Sequence, residues 1–200
     1  IEVVATFDVD RRKVGKPTGE AIFALPNCAR VFQEKVPAGP TVRMGNPLDG
    51  VSDYMQEQPE EFGFRVAKAK PVDVVKVLKE SGADILINYL PVGSQEATEF
   101  YAQCAIDAGV AFLNCIPVFI ASDPKWEQKF IDAGLPLIGD DMRSQVGASV
   151  VSQVLQELAF DRGAEVEFHQ QLNIGGNTDF NNMMVQSRLA SKKKSKENVI

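Results

Sequence analysis

The feature of this sequence that most constrains its fold is a regular alternation of helix-like segments and short apolar runs between residues 71 and 161. The segment PVDVVKVLKE has helical periodicity, with Pro71 in its first turn and Gly82 at its stop. The later helical segments are SQEATEFYAQCAIDAG, SDPKWEQKFIDAG and a stretch from about Gln145 to Asp161. The apolar runs between them are ADILINYLP, VAFLNCIP and LPLIGDD. Strands joined in this way are parallel, so we predict a Rossmann-like, doubly wound α/β sheet with helices on both faces.

Both ends of the chain depart from this alternation. IEVVATFD, at residues 1–8, is typical of a buried strand that ends in a carboxylate, and residues 15–50 read as loops with one short helix and one short strand. After Gly163, AEVEFHQQLNI alternates apolar and polar residues, which predicts a half-exposed strand of a different sheet. We therefore predict a dinucleotide-binding domain at 1–163, without its first strand and Gly-rich loop, and the beginning of an α+β catalytic and oligomerisation domain at 164–200. A start inside a strand-like pattern, without Met, leads us to expect part of a longer protein.

Composition narrows the classes of partner and compartment. A formal net charge of −6 argues against nucleic acid as the main partner. No apolar run reaches the roughly 18 residues of a membrane span, so we expect no membrane partner and a cytoplasmic protein. Cys28, Cys104 and Cys115 are widely spaced and form no C-x-x-C pair, which favours reduced thiols over a disulfide framework. His169 is the only histidine, so a multi-histidine metal site is excluded, and we expect it to be a surface or hydrogen-bonded residue.

The end of the first apolar run carries two acids in the motif FDVD. In a doubly wound sheet, ligands bind at the carboxyl ends of the strands, and an acid there bonds the ribose hydroxyls of a dinucleotide. Asp8 is the first candidate and Asp10 the second, although a surface acid that opens a turn fits the spacing equally well. Arg11 and Arg12 could instead hold the 2′-phosphate of NADP. Because a strand-end acid repels that phosphate, the motif favours NAD.

Two further strand ends carry ligand-binding signals. In LPVGS, Gly93 allows close approach of the backbone to a ligand and Ser94 is a helix N-cap candidate, although an ordinary turn between strand and helix fits as well. In GDDMRSQVGAS, two acids end a strand and residues 144–147 are predicted to form the first turn of a helix. The free N–H groups of such a turn bind anions such as phosphate. The alternative is a helix capped by Asp141 or Ser144 without a ligand.

Together these motifs resemble the inositol-3-phosphate synthase (myo-inositol-1-phosphate synthase) family, most closely its shorter prokaryotic form. The resemblance runs from Ile1 to the last residue, and its later motifs are long and uncommon. The segments that carry it are FDVD, INYLPVGSQEA, FYAQCAIDAGVAFLNCIPVFIASDP, GDDMRSQVGAS, QLNIGGNTDFNNM and SKKKSKENV. The resemblance implies an NAD-binding Rossmann domain with a catalytic α+β domain inserted into the chain, and a homotetramer.

The resemblance also implies a reaction. Members of the family convert D-glucose 6-phosphate to 1D-myo-inositol 3-phosphate, a step of inositol and phospholipid biosynthesis. NAD⁺ takes a hydride from C5, the resulting ketone acidifies C6, the enolate attacks the C1 aldehyde, and the hydride returns to C5. No net oxidation occurs, so the enzyme would be an isomerase.

The lysine-rich segment near the C-terminus fits this chemistry, because fixed cations suit a phosphate and developing oxyanions. The family motif S-K-x-x-S-K falls on Ser191, Lys192, Ser195 and Lys196. On a helix, Lys192 and Lys196 are i and i+4, so both lie on one face. We assign Lys192 to proton transfer at the C5 hydroxyl and Lys196 to phosphate or oxyanion contact, with the division between them left open. The alternative is a solvated tail.

The other site residues follow from the resemblance. Asn177 and Asp179 match positions near the nicotinamide and the sugar, where Asp179 would either hold a monovalent or divalent cation or orient a lysine, while Asn182 would serve structure. Arg143 stands where a lysine is expected; its guanidinium cannot shuttle protons, and we expect a structural role. The substrate phosphate would bind Ser144, Gln145, Val146 and Gly147. The cofactor would lie near Asp8, Asp10, Gly93, Ser94, Asn114, Asp140 and Asp141.

Three other functions compete with this interpretation. A different NAD-dependent sugar-phosphate dehydrogenase would release NADH and would need no lysine pair. A non-catalytic homologue would keep the fold alone, but the presence of Lys192, Lys196 and Asp179 speaks against it. A nucleic-acid module built on KKKSK lacks the interleaved aromatic residues that stack on bases.

Overall fold

The computed structural model describes residues 1–27, 29–142, 146–172, 174–175 and 178–197, without the side chains of residues 191, 192 and 194–197. The elements in chain order are β1 (Phe7–Asp8), α1 (Thr18–Ala21), β2 (Arg43–Met44), α2 (Asp53–Glu57), α3 (Val74–Ser81), β3 (Ile85–Asn88), α4 (Gln95–Ala108), β4 (Ala111–Asn114), α5 (Pro124–Ala133), β5 (Leu137–Ile138), α6 (Ala148–Asp161), α7 (Thr178–Asn182) and α8 (Gln186–Glu197).

The described strands form two parallel sheets, which confirms the predicted α/β class. β4 lies between β3 and β5, with Asn88 opposite Asn114 and Leu113 opposite Ile138. β1 pairs with β2 in a separate two-stranded sheet. Parallel strands end at the same edge of a sheet, so the loops after β3, β4 and β5 lie side by side.

The core lies between β4 and helices α3, α4 and α5. Phe112 of β4 is 1% exposed, and its ring centroid lies 6.2 Å from that of Phe130 in α5. Trp126 packs against the same cluster, as predicted for this helix. On the opposite face, Ile85, Ile87 and Ile138 are 56%, 45% and 64% exposed. Within the described residues, these three side chains of the opposite face are left uncovered by a helix.

Helix α4 contacts both sheets. Tyr101 packs its ring 6.2 Å from that of Phe7 in β1, and its hydroxyl accepts a hydrogen bond from the Asn46 amide at 3.2 Å. One turn earlier, Thr98 accepts a hydrogen bond from the Asn88 side chain of β3 at 3.2 Å. α4 therefore joins the two-stranded sheet to the three-stranded one.

The observed ends of the helices agree with the prediction more closely than their observed starts do. Gly82 and Gly109 end α3 and α4 in the left-handed conformation, where glycine is favoured. Pro71 is not in the first turn of α3, because the Asp73 carboxylate accepts from the Lys76 amide and starts the helix later. Ser94 precedes α4, but its hydroxyl donates to the Pro91 carbonyl and caps no amide.

Two predicted strands are wrong in extent or type. β1 covers only Phe7–Asp8, and Ile1 to Val4 are exposed, because β2 offers pairing partners only at Arg43 and Met44. The segment from residue 164 to 172 forms no strand within the described residues, and Phe168 is 78% exposed. A strand needs a neighbour to satisfy its backbone groups, and no described residue supplies one there.

The segment after residue 178 packs against the first part of the chain. The Thr178 hydroxyl donates to the Pro26 carbonyl at 3.0 Å, and the Tyr54 hydroxyl donates to the Asn181 side chain at 3.1 Å. The domain boundary near residue 163 stays a prediction.

Candidate functional site

A buried hydrogen-bond network runs beneath the carboxyl ends of the three parallel strands. The Asn88 amide donates to the Thr98 hydroxyl of α4 at 3.2 Å and to the Asn114 carbonyl oxygen at 2.9 Å. Asn114 in turn donates to the Asp140 carboxylate at 2.8 Å and to the Val118 carbonyl at 2.7 Å. Asn114 is 0% exposed. The side-chain amide of Asn114 therefore holds the strand ends together, and the predicted contact of Asn114 with a cofactor stays a prediction.

Asp140 organises the loop that follows β4. Its two carboxylate oxygens accept hydrogen bonds from three consecutive backbone amides, at 3.0 Å each, those of Ile120, Ala121 and Ser122. Hydrogen bonds to an ionised carboxylate are stronger than neutral ones. Asp140 therefore shapes the loop, while Asp141 beside it has a positive φ of 71° and accepts from the Met142 amide at 2.9 Å.

The two acids of FDVD differ in their surroundings. Asp10 is 1% exposed and accepts from the guanidinium of Arg12 and from the Arg65 amide. Burial raises the pKa of Asp10, but the hydrogen bonds from Arg12 and Arg65 outweigh that effect and lower the pKa overall. Asp8 is half-buried, holds the amides of the next two residues through one oxygen, and lies 3.2 Å from the ammonium of Lys13 through the other. Asp8 is therefore the more exposed of the two acids, and its role toward a ligand stays a prediction.

Arg12 is committed to the protein. Its guanidinium binds both oxygens of Asp10 and donates to the carbonyls of Glu60 and Gly63, at 2.6 and 2.7 Å. All three guanidinium nitrogens of Arg12 therefore already donate to protein oxygen atoms. Few of its N–H groups are left to bind a 2′-phosphate. Arg11 is exposed and paired with Glu60 at 2.7 Å. Both guanidinium groups are therefore engaged with oxygen atoms of the protein.

The two C-terminal helices, α7 and α8, both donate hydrogen bonds to the loop after β3. The Val92 carbonyl accepts from the Asn182 amide at 2.9 Å and from the Arg188 guanidinium at 3.2 Å. Gly93 has a φ of +85°, and a Cβ there would lie 2.6 Å from the Cα, Cβ and Cγ atoms of Arg188. Gly93 therefore serves the close approach of α8 to this loop, and Asn182 has the structural role predicted for it.

The predicted catalytic residues lie on the last two helices. Asp179 is a half-buried residue of α7, and the backbones of Lys192 and Lys196 lie in α8. The side chains of both lysines lie outside the description, as does all of Asn177. Lys193, predicted to be solvated, is exposed. The roles of these residues stay predictions.

The predicted phosphate-binding turn begins later than expected. α6 starts at Ala148, with Gly147 at the N-cap position in an extended conformation and no side-chain cap. Val146 is 83% exposed and precedes the helix. Val146 and Gly147 are thus not part of the first turn of α6, because the backbone of Gly147 is extended. Asp141 does not cap this helix. Arg143, Ser144 and Gln145 lie outside the described residues.

Other polar groups have local partners. His169 hydrogen-bonds Ser152 and Gln156 of α6, in agreement with its predicted role. Cys104 and Cys115 are buried free thiols, and burial raises the pKa of Cys104 to about 11. Within the described ranges, no three His, Cys, Asp or Glu residues cluster closely enough to hold a metal ion. No helix there is long and apolar enough to cross a membrane.

Sequence reasoning missed four residues that shape these strand ends: Asn88, Thr98, Arg188 and Asp49. The Asp49 carboxylate caps α4 by accepting from the Glu96 and Ala97 amides at 2.9 and 2.8 Å. An available signal was Asn88, a polar residue inside the apolar run ILINYL. A second was Arg188, which precedes Lys192 by four residues and so shares its helix face.

The chain is similar to proteins of known name. The family model for myo-inositol-1-phosphate synthase matches residues 147–200. Inositol-3-phosphate synthase of Mycolicibacterium smegmatis is 52% identical over the whole chain, and the chain covers 54% of that protein. The enzymes of the same name from Mycobacterium tuberculosis and Corynebacterium glutamicum are 50% and 49% identical, with 53% and 54% of their length covered. The chain thus spans about half the length of the curated relatives it matches.

Two solved structures share the fold. The crystal structure of Ari2 superposes with a TM-score of 0.74 at 36% identity, over 90% of this chain and 50% of that one. A myo-inositol-1-phosphate synthase-related protein from Thermotoga maritima superposes with a TM-score of 0.69 at 27% identity, over 96% of this chain and 55% of that one. The similarity to the curated synthases covers all 200 residues of the chain. The chain therefore belongs to the inositol-3-phosphate synthase (myo-inositol-1-phosphate synthase) family.

Proposed function

We propose that the protein containing this chain is a 1D-myo-inositol 3-phosphate synthase, an isomerase that acts on D-glucose 6-phosphate. The observation that carries the proposal is the 52% identity over all 200 residues to a protein of that name. That similarity spans both the strand ends and the lysine helix, because it covers the whole chain. The reaction would be redox-neutral, with oxidation at C5, enolisation, ring closure between C6 and C1, and reduction at C5.

The strand-end residues support NAD as the cofactor. Asp8 is a half-buried acid at the end of β1, which fits an acceptor for ribose hydroxyls. The commitment of Arg12 to Asp10 argues against NADP. When bound, NAD supplies an acceptor and donor for the hydride of C5. The protein's own part is then to hold the sugar and to move protons.

We assign the proton and charge chemistry to α8 and α7. Lys192 would take the proton of the C5 hydroxyl, and Lys196 would stabilise the phosphate or the developing oxyanion. A lysine next to another ammonium group is more easily deprotonated, which suits the basic role. Asp179 would orient one ammonium group or hold a cation, and Asn177 would contact the sugar.

The N-terminal end of α6 would bind the substrate phosphate. Helix N–H groups and the helix dipole attract anions, and Gly147 at the N-cap position lets an anion approach closely. Ser144, Gln145 and Val146 lead into this turn. Asp140 and Asn114 would act by shaping the neighbouring loop, and Asp141 would lie nearer the cofactor.

The free thiols of Cys104 and Cys115 support a cytoplasmic location. We also propose a domain boundary near residue 163.

By analogy with the family, we propose that the full-length protein is a homotetramer. Light scattering of the full-length protein measures its mass and so tests this oligomeric state.

Incubation of the full-length protein with glucose 6-phosphate and NAD⁺ tests the function. We expect inositol phosphate without accumulated NADH. NADH in amounts equal to the sugar consumed would instead identify a dehydrogenase, and unaltered sugar would identify a non-catalytic homologue.

The lysine assignment is tested in the same assay. Lys196→Ala should abolish turnover, because it removes the cation opposite the phosphate or oxyanion. Lys193→Ala, at an exposed position of the same helix, should keep the unmodified rate. Wild-type turnover by Lys196→Ala would contradict the assignment.

A further inference from the structure

We propose that Arg188 is a positioning residue that fixes which face of α8 is turned toward the substrate. Its buried guanidinium holds the helix against the loop after β3, which would fix the rotation of the helix backbone that carries Lys192 and Lys196. This inference rests on the proposed function, because it concerns the geometry of the lysines assigned there.

The first evidence is the environment of the guanidinium. Arg188 is 6% exposed, and it donates to the carbonyls of Val92, at 3.2 Å, and of Asp49. The ion pairs formed in the described part of the chain do not include it. Burial lowers the pKa of Arg188 and the charge of Asp49 partly opposes this effect, but the oxygens of Asp49 accept from two amides of α4. Arg188 is thus a buried cation held by backbone carbonyls from two separate loops.

Such an arrangement is a poor source of stability. Removing a charge from water carries a large penalty, and carbonyl oxygens compensate it less than a carboxylate does. The arrangement instead fixes the orientation of α8. A planar guanidinium that bridges two carbonyls in separate loops fixes both the position and the rotation of its own helix.

The second evidence is helical spacing. Arg188, Lys192 and Lys196 are separated by four residues each, and at 3.6 residues per turn each step rotates by only about 40°. The three residues therefore form one stripe along α8. Because Arg188 is fixed to the carbonyl of Val92, a rotation of α8 at that contact would move the whole stripe.

The third evidence is the closeness of the contact. A Cβ on Gly93 would lie 2.6 Å from three carbon atoms of Arg188, so α8 lies as near the loop as the backbone allows. Asn182 donates to the same Val92 carbonyl at 2.9 Å and fixes the preceding helix there. The Val92 carbonyl thus accepts hydrogen bonds from both Asn182 and Arg188, and these bonds attach α7 and α8 to the loop.

The test uses Arg188→Met and Arg188→Lys in the full-length protein. Methionine keeps the length of the side chain and removes both carbonyl contacts, whereas lysine keeps the charge but not the two-point geometry. We expect kcat to fall roughly 100-fold in Arg188→Met, since small misplacements of catalytic groups have effects of that size, and about 10-fold in Arg188→Lys. Lys193→Met, on the exposed side of the same helix, is the matched control and should keep the unmodified kcat.

A structural readout separates positioning from general destabilisation. The crystal structure of full-length Arg188→Met should show α8 rotated or shifted against the Val92 loop, with the rest of the fold unchanged. A folded Arg188→Met with unmodified kcat and unmoved α8 would overturn the inference. If this variant does not fold, unmodified kcat in Arg188→Lys overturns it instead. Failure of the proposed function is distinguishable, because the unmodified full-length protein would then form no inositol phosphate and there would be no kcat to compare.

Discussion

Asp10 and Arg12 form the most fully buried ion pair among the described residues. Asp10 is 1% exposed, and its pKa is lowered by Arg12 and Arg65 against the opposing effect of burial. A carboxylate with a lowered folded-state pKa contributes stability that is fully present above its unfolded pKa of about 3.9, and this stability is lost as the pH falls through the folded value. The pair therefore links folding to pH below about 4.

Asp10→Asn should destabilise the protein by about 3 kcal/mol at neutral pH, because it leaves a buried guanidinium without its counter-charge. The difference from the unmodified protein should shrink as the pH falls below 3.8. Urea unfolding between pH 2 and pH 7 measures both effects. Glu60→Gln, which removes an exposed partner of Arg11, should have a much smaller effect at every pH. A pH-independent difference for Asp10→Asn would contradict this account.

At the level of single residues, the sequence predicts which positions are polar strand ends but not what each binds. Asn114 and Asp140 follow apolar runs, so their location could be foreseen. Their engagement with each other and with the amides at 120–122 depends on which strands are neighbours. Spacing alone could not reveal that the two side chains serve the protein's own loops.

The start of α4 shows how an element can depend on a distant loop. Asp49 accepts from the first-turn amides of Glu96 and Ala97, whereas Ser94 at the N-cap position makes a turn contact to Pro91. Capping carboxylates stabilise a helix by about 1 kcal/mol. The loop at residue 49 is therefore part of the structure of α4.

Asp49→Ala should lower the free energy of unfolding by about 1 kcal/mol and should accelerate amide exchange at Glu96 and Ala97. Hydrogen exchange measured residue by residue checks this expectation. Ser94→Ala is the comparison: it should leave exchange at those two amides unchanged. Faster exchange in Ser94→Ala than in Asp49→Ala would show that the local residue is the cap after all.

Helices and strands could be predicted from the sequence where a short local motif specifies them. The glycine stops of α3 and α4, the order of helices and strands, and the parallel pairing all follow from short motifs. The segment from 164 to 172 was misassigned, because its alternating pattern specifies a face for burial but not a neighbouring strand. The late start of α6 was missed because Gly147 adopts an extended conformation that no pattern encodes.

On the scale of the whole molecule, apolar surface lies exposed along α6. Five of its side chains are between 37% and 59% exposed: Val150, Val151, Val154, Leu155 and Leu158. A contiguous apolar stripe of this kind binds other apolar surfaces. The chain as described therefore has more apolar surface than its own core accommodates.

The purified 200-residue chain should bind a fluorescent apolar dye and self-associate. Leu155→Gln together with Leu158→Gln should reduce both, because it interrupts the exposed stripe. Dye titration and sedimentation measure the two effects. Glu157→Gln, on the same helix, should change neither, and equal dye binding by all three proteins would contradict the expectation.

The double attachment of α4 has a consequence for the molecule as a unit. One turn of this helix holds Phe7 and Asn46 through Tyr101, and the turn before it holds Asn88 through Thr98. A single-residue insertion between those turns would swing one contact about 100° away from the other. The two-stranded sheet and the three-stranded sheet could then no longer keep their present alignment at once, so α4 sets the common frame of both sheets.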